Sequence, residues 1–389
     1  MNLFITILIM EVLCGAEVDL FVPSFPDLQD TFNLSNFNVE FLLGINLIAH
    51  CVTSLIVGNL GDRFGRKLII IIGLIIFIIG SSFCTFAPNY YVLLFGRFLQ
   101  GVGISGVAVL GYVVLADLYS VKQQQKMAGT LNGAITLAMA FAPVVGSYVN
   151  FLLSWRGNFA ILLIFGIFCL ITGLLFIPKG QINYNINISL KGYSVVFKSR
   201  KAVYHMVTML FIMQGYWVFI AISPILYMRD LGVSIQQFGF YQGAMAAVFS
   251  AVSFSSGYLL KNFGQKKCFF FSILALVAFI IAAIVLVICK TNDPLTITIV
   301  TQLVAIGMIF PCNILWPLAL ESIPDAKGRI TAILVSGRLI VTALCLQLVS
   351  YFYQGTFKQL AIVMCITIVI ALIGCYKLLQ VDRIFDEPK

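Results

Sequence analysis

A chain of 389 residues that is 61% hydrophobic and only 10% charged lies outside soluble globular composition, where about a quarter of residues are charged. The formal net charge of +9 comes from 24 Lys and Arg against 15 Asp and Glu, and where those cations sit makes the excess a matter of membrane topology, not nucleic-acid binding. No Gly-x-x-x-x-Gly-Lys-Ser/Thr loop and no His-Glu-x-x-His pair occurs, so ATP-driven chemistry and zinc catalysis are not expected, and neither is an enzyme, a metal or a bound cofactor.

A bilayer crossing needs about 20 apolar residues. In chain order such runs fall at 3–25, 38–60, 68–87, 91–117, 127–150, 158–178, 203–226, 237–260, 268–289, 295–320, 330–352 and 357–379. Twelve helices in an all-α membrane protein are therefore expected. The first run lacks a basic start and an Ala-x-Ala site and carries Glu11, Glu17 and Asp19, so it reads as a retained span and not a cleaved leader. A carboxylate inside the hydrocarbon is costly and by default functional. Glu11 and Asp19 lie about 80° apart around a helix and share one broad face, whereas Glu17 lies about 160° from Asp19 and points elsewhere. The proton site is therefore expected at Asp19 and Glu11.

Spans 2 and 3 are joined by Gly58-Asn-Leu-Gly-Asp62-Arg63-Phe-Gly65-Arg66-Lys67. A worn copy, Gly257-Tyr-Leu259-Leu-Lys-Asn-Phe263-Gly264-Gln-Lys266, follows 199 positions later with both glycines, the leucine, the phenylalanine and the last lysine in register. Two repeated halves follow, and in an apolar chain they point to a transporter. Asp62 and the arginines can form ion pairs, and the glycines permit close helix approach. Span 4 contains Arg97 and Gln100, then Gly101-Val-Gly103-Ile-Ser-Gly106, a literal dinucleotide fingerprint that follows no strand and reads as helix packing. Span 5 carries Gly129, Gly133, Ala138, Ala142, Pro143 and Gly146, a small-residue face suited to packing against a helix of the other half, bent by the proline.

Residues 179–202 are polar and basic and divide six spans from six, giving an N-terminal bundle 1–178, a linker 179–202 and a C-terminal bundle 203–389. Asn33-Leu-Ser35 and Asn187-Ile-Ser189 match the glycosylation pattern and carry little weight. Asn46, Asn132, Gln214, Tyr216, Trp217, Tyr241, Gln242, Asn313 and Trp316 are polar or aromatic residues within spans that could line a cavity. Arg338 sits at about the depth of Glu11, so a contact between the halves is conceivable. The ten cysteines read as free core thiols, and His50 and His205 as satisfied helix residues. Only Arg156, Arg229, Lys290 and Lys358 fall on one side, Arg97 and Arg338 fall inside spans, and every other Lys and Arg falls on the opposite side. The positive-inside rule makes that side, with both termini, cytoplasmic.

The loop from Gly58 to Lys67 resembles the signature of the major facilitator superfamily, Gly-x-Leu-x-Asp-Arg-x-Gly-Arg-Lys. Arg97-Phe-Leu-Gln100-Gly101 and Ala142-Pro143-Val-Val-Gly146 look like the second and third signatures of its drug/proton antiporter branch. With Asp19-x-x-x-Pro23, Gly111-Tyr112, and Trp217 followed by Ser223-Pro224, the chain looks most like MdfA-type and Bcr/CflA-type multidrug exporters. Where Bcr-type chains carry an Arg-Asp pair at the end of span 4, this one reads Leu115-Ala116-Asp117.

The resemblance implies two pseudo-symmetric six-helix bundles and spans 1 and 4 facing one cavity, with Arg97 a partner for Asp19. It implies a cytoplasmic gate of Gly58, Asp62, Arg63, Gly65, Arg66 and Asp117. It further implies proton-coupled antiport that exports amphipathic drugs or metabolites, cationic ones among them, from a monomer in the cell inner (plasma) membrane. Asp19, Glu11 and Arg97 would then couple protons to a small-molecule substrate, with the proton gradient as energy source. A proton-coupled importer or facilitator of a small metabolite stays open, as does a transport-inactive sensor or assembly partner, because fold alone does not separate them.

Overall fold

The computed structural model describes residues 2–180, 190–381 and 385. Every regular element among them is helical. In order they are α1 (Asn2–Asp19), α2 (Phe25–Phe32), α3 (Asn36–Phe64), α4 (Arg66–Thr85), α5 (Tyr90–Leu118), α6 (Val121–Phe176), α7 (Ser194–Lys198), α8 (Arg200–Ile212), α9 (Gln214–Pro224), α10 (Ile235–Phe263), α11 (Gln265–Ile288), α12 (Pro294–Glu321), α13 (Lys327–Phe352) and α14 (Phe357–Val381). Linker residues 181–189, with the Asn187–Ser189 pattern, lie outside the described residues.

Ten helical segments among the described residues are long and apolar enough to cross a bilayer. One of them, α6, holds two crossings, because its backbone breaks at Ser154 (φ 58, ψ −177). Another is composite: α8, α9 and a π-helical turn at Ile225–Asp230 run on as Arg200–Asp230. Adding α1, whose three acids depress its apolarity, gives the expected twelve.

The first span differs from its expected extent of 3–25. Helix α1 stops at Asp19 and a 3-10 turn occupies Val22–Ser24. Pro23 explains the stop: it has no N–H to give the Asp19 carbonyl, and its ring crowds that carbonyl. It also disfavours helical backbone at Val22.

Several helix starts are written locally. Ser35 Oγ accepts from the Asn38 N–H at 3.2 Å, Asn89 Oδ1 from Val92 at 3.1 Å and Ser234 Oγ from Gln237 at 3.3 Å. Each satisfies one of the orphan donors of a first turn. The two copies of the repeated loop share one backbone form as well as a spacing. Gly65 adopts φ 88, ψ 146 and Gly264 adopts φ 81, ψ 155, an extended positive-φ conformation that glycine alone takes without strain.

The chain divides into two compact units. One comprises Met1–Tyr119, Ala134–Val196 and Ile323–Ser336, the other Ser120–Gly133, Phe197–Ser322 and Gly337–Lys389. The division falls within α6 after Gly133 and within α13 after Ser336. In the first unit α4 and α5 pack backbone to backbone at Gly103, where a Cβ would come 2.6 Å from the Gly73 carbonyl oxygen. The literal fingerprint around Gly103 is thus a helix-packing surface. α5 and α12 are the most deeply buried of these segments.

Candidate functional site

Within the first unit, a closed polar cluster forms where α1, α3, α4 and α5 meet. Arg97 is fully buried, and its Nη1 lies 3.4 Å from Glu17 Oε2 and donates to Gln100 Oε1 at 2.7 Å. Its Nε donates to the Leu42 carbonyl at 3.3 Å, and its guanidinium lies 4.2 Å from the centre of the Phe21 ring. Asn46 Nδ2 bridges Glu17 Oε2 at 3.4 Å and the Arg97 carbonyl at 3.2 Å. Gln100 donates onward to Ser81 Oγ at 2.8 Å, and the Cys84 thiol lies 3.6 Å from Gln100 Oε1. The ion pair is monodentate: among the described residues Arg97 Nη2 and Glu17 Oε1 have no hydrogen-bond partner. A buried charge pair of this kind stands only while both members are present, because removing one leaves the other uncompensated.

The carboxylate beside Arg97 is therefore Glu17, where Asp19 was expected and Glu17 was expected to point elsewhere. The helical wheel fixes the angle between two side chains but not which of them meets α5. Asp19 is instead the last residue of α1, partly exposed, with no hydrogen bond or ion pair to its carboxylate among the described residues. Glu11 is buried against Gly111 of α5, where a Cβ would come 2.5 Å from its Oε1.

A second cluster, in the same unit, surrounds the loop signature. Asp62 is fully buried and receives Arg66 Nη1 at 2.8 Å and Arg329 Nε at 3.2 Å. The backbone N–H groups of Gly328 and Arg329 also donate to it, at 2.9 and 3.1 Å. Arg66 Nε reaches Asp117 at 3.2 Å, and Lys327 Nζ lies 3.6 Å from Asp117 and donates to the Ala116 carbonyl at 2.8 Å. The Asp62–Arg66 and Arg66–Asp117 contacts join residues singled out from the sequence. Arg329 and Lys327 were read only as topological charges, since nothing in their local spacing announces that they meet residues some 200 positions or more earlier.

Gly58 makes this approach possible, because a Cβ there would come 2.6 Å from the Gly328 carbonyl oxygen and from Ala332 Cβ. Gly65 forms the turn, and Arg63 lies over the Phe64 ring at 5.3 Å. Arg329 also donates to the carbonyls of Gly192 at 2.9 Å and Asp325 at 2.7 Å. Next to Gly192, the Tyr193 hydroxyl donates to the Leu55 carbonyl. Burial pushes the Tyr193 phenol up from its ordinary range, and the Asp62 carboxylate adds to the shift while Arg329 opposes it. A cavity of about 410 Å³ opens beside the cluster, lined by Asp62, Arg66, Asp117, Lys179 and Asp325 among others.

The remaining candidates are dispersed. Ala142 is buried and Pro143 lies inside α6. Gly146 faces the Leu20 backbone just past α1 and accepts from Asn158 Nδ2 at 3.1 Å. Its partner is thus in its own half of the chain, where a helix of the other half was expected. Gly129 and Gly133 do meet α10, at Ser253 and Phe254. In the second unit Asn313 accepts from Asn132 Nδ2 at 2.8 Å and donates to Ser256 Oγ at 3.1 Å. Gln214 accepts from Thr342 at 2.8 Å and donates to the Leu210 carbonyl. Tyr216 packs edge-on to Trp217, whose ring carries the Arg338 guanidinium 5.0 Å from its centre.

A family model described as Major Facilitator Superfamily matches residues 7–346. The chain is 25% identical over 379 residues to "Uncharacterized MFS-type transporter YdgK" of Bacillus subtilis, covering 95% of this chain and 93% of that one. It is 24% identical over 384 residues to "Bicyclomycin resistance protein homolog" of Haemophilus influenzae, covering 96% and 94%. It is 26% identical over 266 residues to "Multidrug resistance protein MdtL" of Salmonella dublin, covering 66% of each. Among solved structures it shares its fold with the Escherichia coli fucose:proton symporter FucP (TM-score 0.75, 14% identity, 96% and 97% covered). The human organic anion transporter MFSD10 gives a TM-score of 0.73 at 15% identity, with 97% and 99% covered.

Proposed function

The chain belongs to the Major Facilitator Superfamily, and we propose that within it this multi-pass membrane transporter is a proton-coupled antiporter. It exports amphipathic drugs or metabolites, cationic ones among them, by alternating access. The observation that carries this reading is the acid-rich first span: Asp19 ends α1 with no cation paired to it among the described residues, two residues from a buried Glu17–Arg97 pair. An ionisable group left uncommitted at membrane depth is suited to take either a proton or a positively charged cargo. The bicyclomycin and multidrug resistance names of the relatives favour export of such compounds.

In this reading the protein lies in the cell inner membrane with both termini cytoplasmic, and inward proton flow drives cargo outward. Asp19 and Glu11 exchange protons and substrate. The Asp62 cluster, with Arg66, Asp117, Arg329 and Lys327, is the cytoplasmic latch: its ion pairs hold while that side is closed and part when it opens. Such a latch suits a two-state element, since several charge-assisted bonds converge on one buried carboxylate and are made or lost together.

The test is reconstitution into vesicles with an imposed pH gradient and a screen of cationic, neutral and zwitterionic compounds. Antiport predicts uptake of cargo in exchange for protons, abolished by Asp19→Asn combined with Glu11→Gln. Gradient-driven flux that survives the double neutralisation overturns the reading, and cargo moving in the same direction as protons makes the protein an importer.

A further inference from the structure

The structure assigns different tasks to two neighbouring acids of α1: we infer that Glu17 is a positioning residue, held against Arg97 so that the arginine cannot reach Asp19 and Asp19 titrates without a cation beside it. The inference deepens the antiport reading and rests on it for its functional meaning, but the geometry behind it does not.

Arg97 is held on several sides at once. Glu17 and Gln100 share its Nη1, the Leu42 carbonyl takes its Nε, and Phe21 lies over its face. Those partners are themselves tied, Gln100 to Ser81 and Asn46 to both Glu17 and the Arg97 carbonyl. The pair is almost entirely shielded from solvent, with side-chain exposures of 0% for Arg97 and 1% for Glu17. Turning Arg97 toward another acid means breaking this whole network in a medium where orphaned polar groups are costly.

Asp19 is different on each count. It lies two residues from Glu17, about 200° around the helix and so on the opposite side. It is partly exposed and its carboxylate has no hydrogen bond among the described residues. The titratable and charged groups around this region are Glu11, Cys14 and Glu17 on α1, His50 one turn along α3 from Asn46, Cys84 on α4, Arg97 on α5 and Cys169 on α6. Arg97 is the sole permanent cation of that set, so an acid that faces it gains an attraction that favours its charged form. With Glu17 in that place, the charge of Arg97 is spent on Glu17 and not on Asp19.

The test reads the Asp19 carboxyl directly and needs no cargo: infrared difference titration of the purified full chain in lipid nanodiscs, with the band identified by its loss in Asp19→Asn. In Glu17→Gln the arginine is left uncompensated and a neighbouring anion is lost, and both changes favour the ionised carboxyl. The Asp19 midpoint is therefore expected to fall by at least about one pH unit. In the double variant Glu17→Gln with Arg97→Gln the uncompensated cation is gone as well, and the midpoint is expected to rise back toward the wild-type value. Glu17→Asp, which keeps the charge, should leave it within a few tenths of a unit, and serves if Glu17→Gln does not fold. An unmoved midpoint in Glu17→Gln, a double variant that does not return, or a midpoint in Glu17→Asp displaced like that expected of Glu17→Gln overturns the assignment. Failure of the antiport reading would appear elsewhere, in the wild-type vesicle assay, whatever this titration gives.

Discussion

Arg329 Nε lies 3.2 Å from Asp62 Oδ2, and the backbone N–H of the same arginine donates to the same oxygen at 3.1 Å. A residue at the start of α13 thereby grips the last turn of α3 with side chain and main chain together.

Replacing Asp62 by Asn removes the acceptor charge from two arginines and leaves Arg329, 6% exposed, uncompensated. Breaking a buried pair by deleting one partner costs about 3–5 kcal/mol. A clear drop in the unfolding temperature of the detergent-solubilised protein is expected, with Asp62→Glu falling between wild type and Asp62→Asn. Equal melting of wild type and Asp62→Asn would mean that the cluster contributes nothing net.

The contact of α4 with α5 at Gly103 leaves no room for a side chain. Gly103→Leu must separate the two helices or distort them, and overpacking of this kind costs about 1–3 kcal/mol or more. Loss of monodisperse protein on size-exclusion chromatography is expected for Gly103→Leu, whereas Gly239→Ala, where a Cβ meets nothing within 4 Å among the described residues, should behave as wild type.

Ser154 occupies φ 58, ψ −177 at the break in α6, backbone territory that is essentially glycine's and costs other residues about 1–3 kcal/mol. Ser154→Gly removes that strain and adds about 0.5–1 kcal/mol of chain entropy loss. A net gain of about 1 kcal/mol, seen as a higher melting temperature, is the expected outcome.

Asp293 caps α12, accepting from the Thr296 N–H at 2.7 Å and from the Thr296 hydroxyl, and these bonds hold its carboxyl below the usual range. A folded value below the unfolded one means that the contribution is present above about pH 3.9, the ordinary Asp value, and is lost as pH falls through the depressed folded value. Asp293→Ala should therefore melt below wild type at neutral pH, with the gap closing in acid. Asp293→Asn retains the acceptor and should show little of that pH dependence.

The membrane-spanning architecture was legible because lipid imposes it locally. Apolar length marks each crossing, and Ser35, Asn89, Ser234 and Asp293 mark helix starts by hydrogen bonds within three residues. The repeated loop was equally legible, since Gly65 and Gly264 are required by the turn itself. The contact of Arg66 with Asp62 crosses only the Gly65 turn between α3 and α4 and needs nothing distant.

What the sequence by itself determined, then, is a helical membrane transporter of repeated halves with acids in its first span: each follows from local composition or spacing. The tertiary structure alone decided which acid meets Arg97, that Arg329 and Lys327 complete the cluster around Asp62 and Asp117, and that Gly146 faces the end of α1. Helical periodicity fixes the angle between Glu17 and Asp19 but not the rotation of α1 about its own axis. That rotation is set by packing against α5, by the hydrogen bond from Asn46 of α3 and by the stop that Pro23 imposes, and it puts Glu17 inside the cluster and Asp19 outside it.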